Sequence, residues 1–178
     1  MQAETDQARE LVEDQRPVYT LWRVTGECTQ GAPRTVWIFQ SEGGSVCEET
    51  ASAYFEALRH KVAPTSGSFV TLYDFTQPLS NILPFALQLA RNAAEIRSKM
   101  RCVRTVIVCT SPAARNVLRF VVGLVGGERP YVIVDSVEKG WEAAFAAEEA
   151  GEAALRDDFE GVPLSEGLDP SCALLSAH

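Results

Sequence analysis

Three times in this chain an apolar run of five to seven residues ends and a segment of helical periodicity begins soon after. The runs are "FVTLYDF" (69–75), "VRTVIVC" (103–109) and "YVIVD" (131–135). Each is too short and too rich in β-branched residues for a helix, and too continuously apolar for a strand with one wet face. A chain that alternates such runs with amphipathic segments is directed to a mostly parallel sheet with helices packed on it. Right-handed crossovers then set the C-terminal end of each strand beside the start of a helix. Chemistry in such a fold belongs at three junctions, Asp74–Asn81, Cys109–Ala113 and Asp135–Val137.

The remaining elements fit the same scheme. "VYTLWRV" (18–24) and "TVWIFQ" (35–40) are strand-like, and the turn residues between them make an antiparallel hairpin with a long loop. Ser45 and Glu48 have the spacing of a capping box for the helix "CEETASAYFEALRHKV". Ala51, Tyr54, Phe55, Leu58 and Val62 give that helix an inward face. A second helix is expected from about Asn81 to Met100, where Ile82, Ala86, Leu89, Ala93, Ile96 and Met100 form a stripe and Pro84 sits in the first turn. Ser111-Pro112 supplies an N-cap and a proline at the first helical position, and Ser136 caps a last helix over 137–150. The expected order is ββαβαβαβα, an α/β domain with a four- to five-stranded, mostly parallel sheet over residues 17–150. Residues 1–16 form an acidic N-terminal segment. Residues 151–178, with prolines, glycines and no sustained period, read as a loosely attached, disordered acidic tail.

Charge divides the chain in the same way. Residues 1–14 carry five acids against Arg9, residues 135–178 carry eleven against Lys139 and Arg156, and the middle is mildly basic. Acidic ends that repel phosphate argue against nucleic acid as a partner. Arg91, Arg97, Lys99, Arg101, Arg104, Arg115 and Arg119 stand against Glu95 alone. That cluster suits an acidic partner, peripheral contact with anionic lipid, or the chain's own tail, unless it is only the solvated side of helices. No apolar run spans a bilayer, and the N-terminus lacks the basic start and apolar centre of a signal peptide, so a cytoplasmic protein is expected.

The candidates for catalysis are few. His60 and His178 are the only histidines, which disfavours a histidine-based triad or metal centre; His60 reads as a surface helix residue. The five cysteines form no CxxC pair and read as reduced thiols. "CTSPAAR" places Cys109 and Arg115 at the spacing of a cysteine phosphatase loop, which makes a phosphatase- or sulfurtransferase-like enzyme the alternative reading. Against it, the loop has no glycine, and Pro112 removes an amide that a phosphate cradle needs. The plain reading is a strand-end cysteine before a Ser-Pro helix start. No glycine pattern matches a dinucleotide fingerprint or a P-loop, and no cofactor is expected.

"LYDFTQPLSNILPFALQLA", with the later "VRTVIVCTSPAAR" and "YVIVDSVEKGWEAAF", resembles the STAS domain of anti-sigma-factor antagonists, in particular its SpoIIAA-like branch, over about 35–150. Asp74-Phe75-Thr76 is similar to that family's strand end of Asp, an apolar residue and Ser or Thr. The phosphoacceptor motif is replaced by Pro78-Leu79-Ser80-Asn81, leaving Ser80 as the one hydroxyl near the acceptor position. The resemblance implies a non-catalytic binding or regulatory module for a protein partner or a small apolar or anionic ligand. Its surface would comprise Asp74, Phe75, Thr76, Leu79, Ser80, Asn81 and Phe85. Ser80 is the possible phosphoacceptor, unless it only caps the following helix.

Overall fold

The computed structural model describes residues 8–16, 18–45, 47–77, 79–80, 91, 101–125 and 131–146. Its strands are β1 (Ala8–Gln15), β2 (Tyr19–Glu27), β3 (Pro33–Ser41), β4 (Gly44–Ser45), β5 (Phe69–Asp74), β6 (Leu79–Ser80), β7 (Cys102–Val108) and β8 (Tyr131–Val134). The helices are α1 (Glu48–Ala57), which runs on into a wider π turn over Leu58–Val62, α2 (Pro112–Val125) and α3 (Val137–Phe145). The expected helix over 81–100, apart from the helical Arg91, and the tail 151–178 lie outside the described residues.

The fold is α/β, as the apolar runs require, but its sheet is larger and more mixed than expected. Six strands lie in the order β1-β2-β3-β5-β7-β8. β1, β2 and β3 are antiparallel neighbours, whereas β3, β5, β7 and β8 are parallel. The hairpin of β2 and β3 matches the sequence. The added strand is β1, inside the acidic segment, where Ala8 pairs with Thr25 and Gln15 with Tyr19. A bulge between Leu11 and Glu13 interrupts its alternation, and four charged residues hide its strand character. Bulge and charge are the devices that keep an edge strand from pairing with another chain.

Alternating residues send two different cores to the two sides. One side gathers Tyr19, Trp37, Phe39, Phe69, Tyr73 and Ile107 with Phe55 of α1, Leu58 and Val62 of the π turn, and Leu118 and Val122 of α2. The aromatic rings there interlock, Phe39 lying 4.5 Å from Tyr54 and 5.4 Å from Tyr73 between centroids. The other side gathers Val24, Val36, Ile38, Val70, Leu72, Val106 and Val108 with Ala144 and Phe145 of α3. A Cβ on Gly140 would lie 2.5 Å from Val108 Cγ2, so glycine lets α3 lie directly on β7.

Helix caps follow the sequence at two ends and depart from it at two. Ser111 Oγ accepts from Ala114 N at 3.3 Å, and Ser136 Oγ from Lys139 N at 3.3 Å, as expected. The expected Ser45–Glu48 box is not formed, because Ser45 belongs to β4. Cys47 is the N-cap of α1, and its N–H donates to Thr50 Oγ1 at 2.8 Å. α3 stops at Phe145 rather than 150, with Ala146 extended. Its last carbonyls are taken by other groups: Phe145 O by Thr29 N at 3.0 Å, Ala143 O by Arg104 Nη1 at 2.6 Å, and Ala146 O by Arg34 Nη1 at 3.0 Å. Two buried guanidiniums at a helix C-terminus satisfy carbonyls that have no partner in the helix and oppose its negative dipole end.

Candidate functional site

The rim formed by the C-terminal ends of β3, β5, β7 and β8 contains the three junctions named from sequence. Asp74 closes β5, opposite Gln40 of β3 and Val108 of β7. Asp74 is 8% exposed and its carboxylate accepts from Thr76 N at 3.0 Å, so it fastens its own turn. Phe75 N donates to Val108 O at 2.9 Å, and the Phe75 ring stacks on Tyr73 at 6.2 Å. Phe75 is thus half-buried against the aromatic core. Thr76 is half-buried at the bend that follows.

Leu79 and Ser80 form β6, which pairs in parallel with Gly44 and Ser45 of β4. Gly43 and Gly44 have φ of 83° and 105°, a left-handed turn that explains the Gly-Gly pair after β3. This small second sheet joins the loop after β5 to the loop after β3 and brings the backbones of Ser80 and Ser45 into register. Asn81 and Phe85, the rest of the expected surface, lie outside the described residues.

At the second junction, Cys109 is 5% exposed and its N–H donates to Val134 O at 2.9 Å. Arg115 Nη1 donates to Cys109 O at 2.8 Å and Thr110 O at 2.9 Å. The guanidinium of the Cys-x5-Arg pattern therefore grips the carbonyls of its own loop. At the third junction Lys139 Nζ lies 2.8 Å from Asp135 Oδ1. The Lys139 hydrogen bond holds the Asp135 carboxyl below the usual carboxylate range, with Arg115 contributing at longer distance.

The described members of the basic cluster read from sequence do not form one surface. Arg104 is 1% exposed beneath the end of α3, Arg115 is folded onto the loop after β7, and Arg119 reaches Asn116 Oδ1 at 3.4 Å. Arg91 and Arg101 are exposed, while Arg97 and Lys99 lie outside the described residues. A cation inside an apolar strand is read as surface by charge counting, although Val103 and Val106 around it already mark the strand as buried. His60 is exposed in the π turn, as expected.

Cys28, read from sequence only as one of five reduced thiols, is a free buried cysteine in the turn between β2 and β3. The backbone N–H of Gln30 lowers the pKa of its thiol, with smaller help from Ala32 N–H and Arg34 and against the effect of burial. No group of three or more His, Cys, Asp or Glu among the described residues has the arrangement of a metal site. No described helix is long and apolar enough to cross a membrane.

The order of the parallel strands bears on function as well. β3, β5, β7 and β8 follow one another without reversal, so α1 and α2 cover the same face. The crevice in which open α/β sheets hold ligands arises where strand order reverses. The described strands contain no such reversal. No protein-family model matches the chain, and neither curated proteins nor solved structures give a match.

Proposed function

We propose that this chain is a non-catalytic binding or regulatory module of STAS or SpoIIAA-like type, engaging a protein partner or a small apolar or anionic ligand through the rim around Asp74–Ser80. The observation that carries this reading is how the polar groups of the rim are used. Asp74 holds Thr76 N, Arg115 holds two loop carbonyls, and Asp135 holds Lys139. Groups committed to shaping loops make a rigid recognition surface, and the β4–β6 pairing stiffens the same loop. Support for the STAS relationship is the Asp74-Phe75-Thr76 strand end, together with the two closing strand–helix pairs of β7–α2 and β8–α3.

The test is native mass spectrometry of full-length protein purified from its own source, compared with a Thr76→Lys, Gln77→Lys variant. A partner chain, a ligand or a phosphate on Ser80 that is retained by the wild type and lost from the variant is the expected result. A bound species that the variant keeps undiminished overturns the rim as the binding surface. A turnover abolished by Cys109→Ser overturns the whole reading in favour of a cysteine-dependent enzyme.

A further inference from the structure

The aliphatic side of the sheet is covered unequally. α3 packs on β5, β7 and β8, and no described helix lies in the same way on β1 or β2. On that half Thr20 and Val24 are themselves buried, but Leu11 is 46% exposed and pairs with the half-buried Trp22. The guanidinium of Arg9 lies 4.0 Å above the Trp22 ring, and its Nη2 donates to Gln40 Oε1 at 3.4 Å. Apolar area under a cation is a surface that suits an acidic segment with apolar side chains.

The chain itself is delivered to this surface. Ala146 is held by Arg34 of β3, and Arg34 pairs with Gly26 of β2, so the last described residue sits beside the open half. Trp22 lies four residues along β2 from Gly26, about 13 Å away. Nine further residues reach Leu155 and span up to roughly 30 Å when extended. Residues 147–178 carry eight acids against Arg156 and include Leu155, Phe159, Val162 and Leu164.

The signs of charge match. Register sends Glu10 and Glu13 of β1 to the opposite side of the sheet, opposite Arg23 and Leu21, and Asp14 is paired with Arg16. Arg9 remains on this half with an exposed side chain. A second copy seated here would set Arg9 against Arg9, whereas the acidic segment complements it.

We propose that residues 147–178 dock across β1 and β2 on this side, with apolar side chains over Leu11 and Trp22 and carboxylates around Arg9. This is independent of the rim at Asp74–Ser80 and differs from the expectation of a free tail. The acidic segment then completes the layer that α3 begins, and salt weakens its hold because exposed ion pairs are screened.

Hydrogen exchange of the full-length chain, read by mass spectrometry, tests this. In the wild type, amides within 147–165 should exchange at least about tenfold more slowly than unstructured peptide. In an Arg9→Glu, Leu11→Glu variant they should return to the unstructured rate, with β5 and β7 protected in both. Should that variant lose protection in β5 and β7, Leu155→Asp, Phe159→Asp changes only the occupant and should give the same release. A segment at the unstructured rate in the wild type overturns the proposal, as does protection that neither variant removes. A dimer by light scattering that Arg9→Glu, Leu11→Glu dissolves also overturns it, because a second copy would then be the occupant.

Discussion

The two sides of the sheet solve the same burial problem differently. One is filled with interlocking aromatic rings beneath two described helices that connect parallel strands. The other is filled mostly with aliphatic side chains beneath one short described helix, whose end is fixed by arginines from β3 and β7. The first is held mainly by area removed from water; the second adds directional bonds that need an exact partner. Cores of the first kind tolerate shape changes of similar volume, and sites of the second kind do not.

That contrast can be broken from either side. Phe39→Ala, at the centre of the aromatic cluster, should cost the most, about 3–5 kcal/mol in denaturant unfolding, because it removes a 1% exposed ring and leaves a cavity. Arg104→Met keeps much of the volume but leaves Ala143 O without its guanidinium, and about 2–3 kcal/mol should be lost. A neutral Arg104→Met would mean that α3 is held by packing alone. Gly140→Ala should cost about 1–3 kcal/mol through the clash with Val108, despite the better helix propensity of alanine. Ser136→Ala removes the cap of α3 and should cost about 1 kcal/mol, with Lys139 N–H exchange as the local readout.

The smallest effect is one of pH and belongs to the aromatic side alone. Burial, with Glu13 nearby, pushes the Tyr19 hydroxyl up to about 12 from an ordinary value of 10.0. The folded state therefore favours protonated Tyr19. Its contribution is complete below pH 10 and is lost as pH rises toward about 12. Tyr19→Phe should move the alkaline unfolding midpoint upward, and an unchanged midpoint would dissociate this tyrosine from alkaline unfolding.

Legibility followed the same division. The parallel strands β5, β7 and β8 were readable because continuous apolar runs can be buried on both faces in few other ways. Ser111-Pro112 and Ser136 marked their helix starts, because those residues satisfy free N–H groups locally. β1 was not readable, since its strand character comes from pairing with β2 and not from its own alternation. Arg104 was miscounted for a related reason: its burial depends on carbonyls at Ala143 and Ala146, some forty residues away. The rim residues Asp74, Phe75 and Thr76 were placed correctly at a strand end. That Asp74 spends its carboxylate on its own turn, and that Ser80 pairs with Ser45, are matters of three-dimensional register.

Strand order has one more consequence, for how the molecule is made. Each parallel strand settles beside the parallel strand synthesised just before it, so the sheet can grow from the amino end during translation with short search distances. The exception is Arg34, whose acceptor at Ala146 emerges last of all the described residues. Until α3 arrives, a nascent chain has β5, β7 and β8 without the helix that packs on their aliphatic side. Completion of that second core therefore waits for the last described element to be synthesised.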